Sequence, residues 1–117
     1  MAVAGWFAEI MGDTPATAEF QSAFKQFFGG APAGGHSGGW AAAKMLEQAA
    51  SHSPDPTSSA GILEGLWTSF HNDTLGGLTM PLTFVRDKPS PKVNCSAPLV
   101  VEKGKYVLPT NGAVQCQ

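Results

Sequence analysis

Charge is scarce in this chain: of 117 residues only 7 are Lys or Arg and 9 are Asp or Glu, and the net charge is -2 with histidine neutral. Without a basic face the chain has no electrostatic footprint for nucleic acid or for an anionic lipid surface. No apolar run approaches the length of a membrane span. The three histidines, His36, His52 and His71, have 15 and 18 residues between them, so no pair has the i, i+3 or i, i+4 spacing of a helical metal site. No metal and no cofactor is expected. Serines are numerous, but no Gly-x-Ser-x-Gly elbow occurs, and "GHSGGW" places His36 directly beside Ser37.

Cysteine is nearly absent. Cys95 and Cys116 are the only two, they form no Cys-x-x-Cys pair, and they flank a segment rich in strand and turn formers. A disulfide is the preferred reading, two free thiols the alternative. Closing a loop of about 20 residues would stabilise by roughly 3 kcal/mol in the chain-entropy model and would require an oxidising compartment. The opening "MAVAGWFAEIMG" has no basic n-region, carries Glu9 and lacks a small-x-small cleavage site, so it does not read as a signal peptide. An oxidising compartment without a leader implies that Met1 is not the natural start.

Glycine and proline, 14 and 9 residues, are abundant, which implies many turns. A hydrophobic content of 43% over this length supports one modest domain that buries roughly two thirds of its unfolded surface. "GDTPATAEFQSAFKQFFGG" predicts a helix capped by Thr14 or Asp13, with Pro15 in its first turn and Gly29-Gly30 at its end. Phe20, Ala23, Phe24, Phe27 and Phe28 share one face, which is expected to be buried as core rather than to serve as an aromatic ligand platform.

"GGAPAGGHSGG", residues 29–39, reads as a loop in which His36 or Ser37 caps the helix "GWAAAKMLEQAAS". It lacks the Lys-Ser/Thr ending of a phosphate loop, and no strand precedes it. Its glycines and helix-terminal amides nonetheless suit a carboxylate, a flexible connection being the plainer reading. Ala42, Ala43, Leu46, Ala49 and Ala50 form the expected packing face of this second helix. After the turn-rich "SHSPDPTSS", Ile62, Leu63, Leu66, Trp67 and Phe70 mark a third helix.

The period then changes to two. In "LGGLTMPLTF", Leu78, Met80, Leu82 and Phe84 are expected inward on a strand and Thr79 and Thr83 outward, with Pro81 confining that strand to an edge or a bulge. "RDKPSPK" reads as a stiff linker. Val100 to Glu102 and Lys105 to Leu108 are expected to pair through a turn at Lys103-Gly104. "NDT" at Asn72 and "NCS" at Asn94 formally match glycosylation acceptors, a match that arises readily by chance.

In this order, "ATAEFQSAFKQFFGG", "SGGWAAAKMLEQAA", "SAGILEGLWTSFHNDTLGGLTMPLTF" and "KVNCSAPLVVEKGKYVLP" resemble the closing third of a type I periplasmic substrate-binding protein of the branched-chain amino acid (Leu/Ile/Val) kind, from an ATP-binding-cassette importer. The resemblance implies an α/β fold: the C-terminal part of a two-lobed protein with parallel sheets, present here as three helices, an edge strand and a β-hairpin. Residues 1–88 would supply a hinge strand, three helices and the edge strand of lobe 1, and residues 89–117 a crossover and the lobe 2 hairpin. It further implies solute capture without chemistry, delivery to a membrane permease, and a periplasmic or cell-envelope location. Gly35, His36, Ser37 and Trp40 would then line the ligand cleft, with Trp6 and Phe7 near the hinge. Amides and Ser37 would hold a carboxylate while an aromatic ring covers an apolar side chain. Apolar faces left without the rest of the sheet would favour self-association. Two other readings remain: a small disulfide-bonded secreted interaction module, and a hydrolase using His36 or His71 with a serine.

Overall fold

A computed structural model describes residues 2–4, 10–32, 35–90, 92, 94–109 and 115–116. Its elements are β1 (Ala2–Ala4), α1 (Pro15–Phe28), α2 (His36–Ser51), α3 (Ser59–Ser69), β2 (Cys95–Glu102), β3 (Lys105–Val107) and β4 (Gln115–Cys116). Three helices and small antiparallel sheets make a mixed α/β arrangement.

Thr14 resolves the start of α1. Its hydroxyl accepts from the Thr17 amide at 3.2 Å, and the Thr17 hydroxyl accepts from the Thr14 amide at 3.0 Å, a reciprocal box that satisfies two backbone donors. Pro15 occupies the first turn, where its missing N–H costs nothing, and Gly29 ends the helix in the left-handed region at φ 72°. Thr14→Ala is expected to lower stability by about 1 kcal/mol in urea unfolding, and an unchanged midpoint would show that the box does not hold the helix.

The aromatic stripe of α1 is only half buried, which corrects the expected face. Phe20 and Phe24 lie in the core with Met11, Ala41 and Leu78, whereas Phe27 and Phe28 are each 74% exposed. The neighbouring elements cover α1 as far as Phe24, and its last turn projects beyond them.

The start of α2 differs from the sequence reading as well. It begins at His36, three residues before the expected Gly39, and Gly35, not His36 or Ser37, is its cap, at φ 95° with no side-chain bond. Glycine tolerates that backbone at no steric cost, so the helix can extend back through Gly38 and Gly39. Its buried residues are Ser37, Ala41 and Ala49, while Ala42, Ala43 and Leu46 face solvent. Small residues do permit close approach, Ala41 in the core beside Phe20 and Phe24 and Ala49 at the crossing with α3. There α3 presents Gly65, whose missing side chain leaves room for the Ala49 carbonyl, and Gly61, which meets the Asp55 carbonyl in the same way.

After α3 the expected edge strand does not form. Leu75, Gly76 and Gly77 make a 3-10 turn with φ of 51°, 70° and 101°, and residues 78–84 have one isolated antiparallel bridge, Asp73 with Leu82. Pro81 has no donor and, among the described residues, no strand offers this segment a ladder, so it folds back on the helices instead. Leu78, Met80 and Leu82 are buried and Phe84 is half-buried against Phe70, as the alternation required. Thr79 is the exception: expected outward, it is buried at 4% exposure, while Thr83 is exposed. The fold-back is clamped by Arg86, which pairs with Glu64 and lies 4.3 Å from the Trp67 ring centroid.

The β2–β3 hairpin forms where expected, with Val100, Val101 and Glu102 opposite Val107, Tyr106 and Lys105. Both turn residues, Lys103 and Gly104, have positive φ, which matches the strand twist in a two-residue hairpin. β1 also pairs with β2, Ala2 opposite Leu99 and Ala4 opposite Ala97, so the first strand joins the sheet of the C-terminal segment. Every described strand pair is antiparallel, in contrast to the parallel sheet that the resemblance implies. Leu99 and Leu108 rest against the helical core.

Cys95 and Cys116 are bonded, with an S–S distance of 2.09 Å, and they face each other across β2 and β4. Beyond that bond β4 has a single further ladder pair, Ser96 with Gln115. Reduction is therefore expected to release β4 and cost about 3 kcal/mol, the loop-closure value for a cross-link of this span. Thermal melts with and without reductant check this; coincident melts would show that the bond contributes nothing.

Candidate functional site

The residues that the sequence placed at a cleft lie along the first turns of α2. Gly35 and His36 are exposed, Ser37 is buried, and Trp40 is half-buried. Their rings turn toward α1: His36 lies 4.8 Å from Phe24 and Trp40 lies 5.7 Å from Phe20, centroid to centroid. Trp40 Nε1 is buried and has no hydrogen-bond partner. Trp6 and Phe7 lie outside the described residues. His71 is exposed on the loop after α3, away from His36 in sequence and on a different element.

A convergence of polar groups lies further along α2. An open groove of about 430 Å³ runs between α1, α2 and the 73–78 segment. Along its α2 wall stand Lys44, Glu47, Gln48, Ser51 and His52, at i, i+3, i+4, i+7 and i+8, one face of a helix. Glu19 and Ala16 of α1 face them, and Asp73, Leu75, Gly76 and Leu78 complete the lining. A polar stripe at helical spacing was the signal for this site, and it is the complement of the alanine face on which the sequence reading concentrated.

Lys44 connects the two regions. Its ammonium lies 3.2 Å from both Glu19 Oε1 and Glu47 Oε2, and 5.5 Å from the Trp40 ring centroid. Hydrogen bonds to Glu47 and then Glu19 raise its pKa above the ordinary 10.5 against a weaker opposing effect of burial. Whatever stability these pairs contribute is therefore complete below 10.5 and is lost as pH rises through the higher folded value. At neutral pH the groove holds a fixed positive charge between two negative ones.

Asp73 is held in place by its own bonds. One carboxylate oxygen accepts from the Leu75 amide at 2.7 Å and the other from Gln48 Nε2 at 2.8 Å, while Gln48 also donates to the Ser69 carbonyl at 3.3 Å. Ser51 and His52 serve the helix end. The Ser51 hydroxyl donates to the Gln48 carbonyl at 2.8 Å, and His52 Nδ1 lies 3.0 Å from the same carbonyl and from Ser51 Oγ. A hydroxyl whose proton is committed to a carbonyl is not being drawn toward an imidazole, so this adjacency is a cap in form, not a nucleophile with its base.

A second open groove, of about 500 Å³, lies at the end of α1 among Gln21, Ser22, Lys25, Gly29, Gly30, Ala31 and Pro32, but it offers a single charged group. Among the described residues no three His, Cys, Asp or Glu side chains converge as metal ligands, and no helix is long and apolar enough to cross a membrane. No protein-family model, curated protein or solved structure matches the chain.

Proposed function

We propose that this chain is the solute-binding component, or a piece of it, of an ATP-binding-cassette importer, and that it takes branched-chain amino acids or similar small carboxylate or amide solutes. The observation that carries the reading is the groove along α2, where Lys44 faces Glu19 and Glu47 beside the Gln48 amide and the apolar side chains of Leu75 and Leu78. Its volume lies within the range of small-ligand pockets. A zwitterion needs what this lining supplies: a cation for its carboxylate, carboxylates for its ammonium and an apolar wall for its side chain. Trp40, whose ring lies under the Lys44 ammonium, would position that cation from behind.

In this reading residues 1–88 belong to one lobe and residues 89–117 to a crossover and the second lobe. The partner is a membrane permease, and the compartment is the periplasm or cell envelope, where the Cys95–Cys116 bond persists. The disulfide also favours a second reading, a small secreted interaction module, which the exposed Phe27 and Phe28 would serve as contact residues.

Calorimetry of the chain with the twenty amino acids separates the two. The receptor reading expects saturable binding of at least one, weakened about tenfold, or about 1.4 kcal/mol, by Lys44→Met. No binding by any amino acid would overturn it and leave the interaction module.

A further inference from the structure

We infer that the α2 groove selects an elongated basic amino acid, of the lysine or ornithine type, over a neutral branched-chain one; the inference rests on the receptor reading above. Three features of the groove carry it: its length, its charge balance and its apolar side.

Asp73 meets the α2 wall at Gln48, four residues or about 6 Å along the helix from Lys44 at 1.5 Å per residue. A branched-chain amino acid would occupy one end of such a groove. A linear side chain ending in an amine can run along it.

The charged lining comprises the carboxylates of Glu19, Glu47 and Asp73 and the single ammonium of Lys44. Lys44 is already shared by Glu19 and Glu47. The partners of Asp73, the Gln48 amide and the Leu75 N–H, are neutral dipoles that orient its charge without cancelling it. A ligand carboxylate therefore has one cation to meet, whereas ligand amines have two places: Glu47 beside Lys44, and Asp73 further along. Leucine would leave Asp73 without a counter-charge, and glutamate would add a fourth negative group. Lysine brings its carboxylate to Lys44, its α-amine to Glu47 and its ω-amine to Asp73. Its methylenes cross the apolar side formed by Ala16, Leu75 and Leu78, as long cationic side chains commonly do.

An additional ion pair in a groove open to solvent is worth about a tenfold preference, and salt should erode it. Titration calorimetry of the full 117-residue chain with lysine, leucine and glutamate, at low and at 0.5 M salt, tests this. The expected order is lysine about tenfold tighter than leucine and glutamate weakest, with the lysine advantage shrinking in salt. Asp73→Asn, which keeps the shape of the side chain and removes the charge that meets the ω-amine, should bring lysine to within about threefold of leucine, whereas Glu47→Gln, which removes the partner of the α-amine common to both, should weaken the two alike. Leucine binding as tightly as lysine, or a lysine advantage that survives Asp73→Asn unchanged, overturns the inference while the receptor reading stands. Binding of none of the three overturns the inference, and silence across all twenty amino acids overturns the receptor reading with it.

Discussion

Gly65→Ala is expected to destabilise the chain by about 3 kcal/mol or more, although the same exchange in an ordinary helix stabilises by roughly 1 kcal/mol. The sign reverses because a Cβ at Gly65 would stand 1.9 Å from the Ala49 carbonyl oxygen and 2.8 Å from its carbon. Both are backbone atoms in the last turn of α2, so no rotamer change relieves the clash, and the two helices must move apart. That separation would also pull on Gln48, which holds the Ser69 carbonyl on one side and Asp73 on the other. Gly39→Ala in α2 is the matched control, since nothing lies within 4 Å of the added methyl. It should be neutral or stabilising by up to about 1 kcal/mol. Thermal and urea unfolding of the pair measure the difference, and a Gly65 variant as stable as the Gly39 variant would refute the close α2–α3 contact.

Phe20→Ala is expected to cost about 3–5 kcal/mol, the transfer free energy of the ring plus the cavity left behind. Phe20 is 1% exposed and touches Phe24 at 6.0 Å and Trp40 at 5.7 Å between centroids, within the cluster that Met11, Ala41 and Leu78 complete. Phe27→Ala, on the same stripe two turns later, should change stability by no more than about 0.5 kcal/mol because its ring is already in solvent. Urea midpoints of the two variants decide the matter: equal losses would place Phe27 in a contact that the fold described here does not contain. If Trp40 and Lys44 position a ligand, Phe20→Ala should also weaken amino acid binding, since it removes the surface on which Trp40 rests.

These contrasts mark where sequence reasoning was sufficient. Helix boundaries governed by local chemistry were legible: Thr14, Pro15 and Gly29 act through atoms within a turn of themselves, and Lys103-Gly104 closes a hairpin between adjacent strands. Boundaries that depend on a remote partner were not. Leu78, Met80 and Leu82 alternate like a strand, and they are buried as one would be, but a strand exists only if another chain segment supplies its ladder. Lacking that, the residues bury the same side chains through a 3-10 turn and one bridge, and Thr79 is carried inward with them.

The candidate site divides in the same way. The glycine-rich residues 29–39 read as a loop in sequence, yet Gly38 and Gly39 are helical and the rings of His36 and Trp40 turn toward α1. The groove instead uses Lys44, Glu47 and Gln48, common surface residues whose stripe along α2 was readable but whose partners, Glu19 and Asp73, lie 25 residues away on either side.

By itself the sequence determined the existence and order of three helices, the caps of α1, the hairpin turn and the two cysteines available to bond, because each depends on contacts close along the chain or on a count of residues. Tertiary structure alone decided which half of the phenylalanine stripe is covered, which alanine of α2 meets Gly65 of α3, and which charges share a groove. Those outcomes depend on distances between segments remote in sequence, and periodicity specifies which residues share a face without specifying what that face will meet.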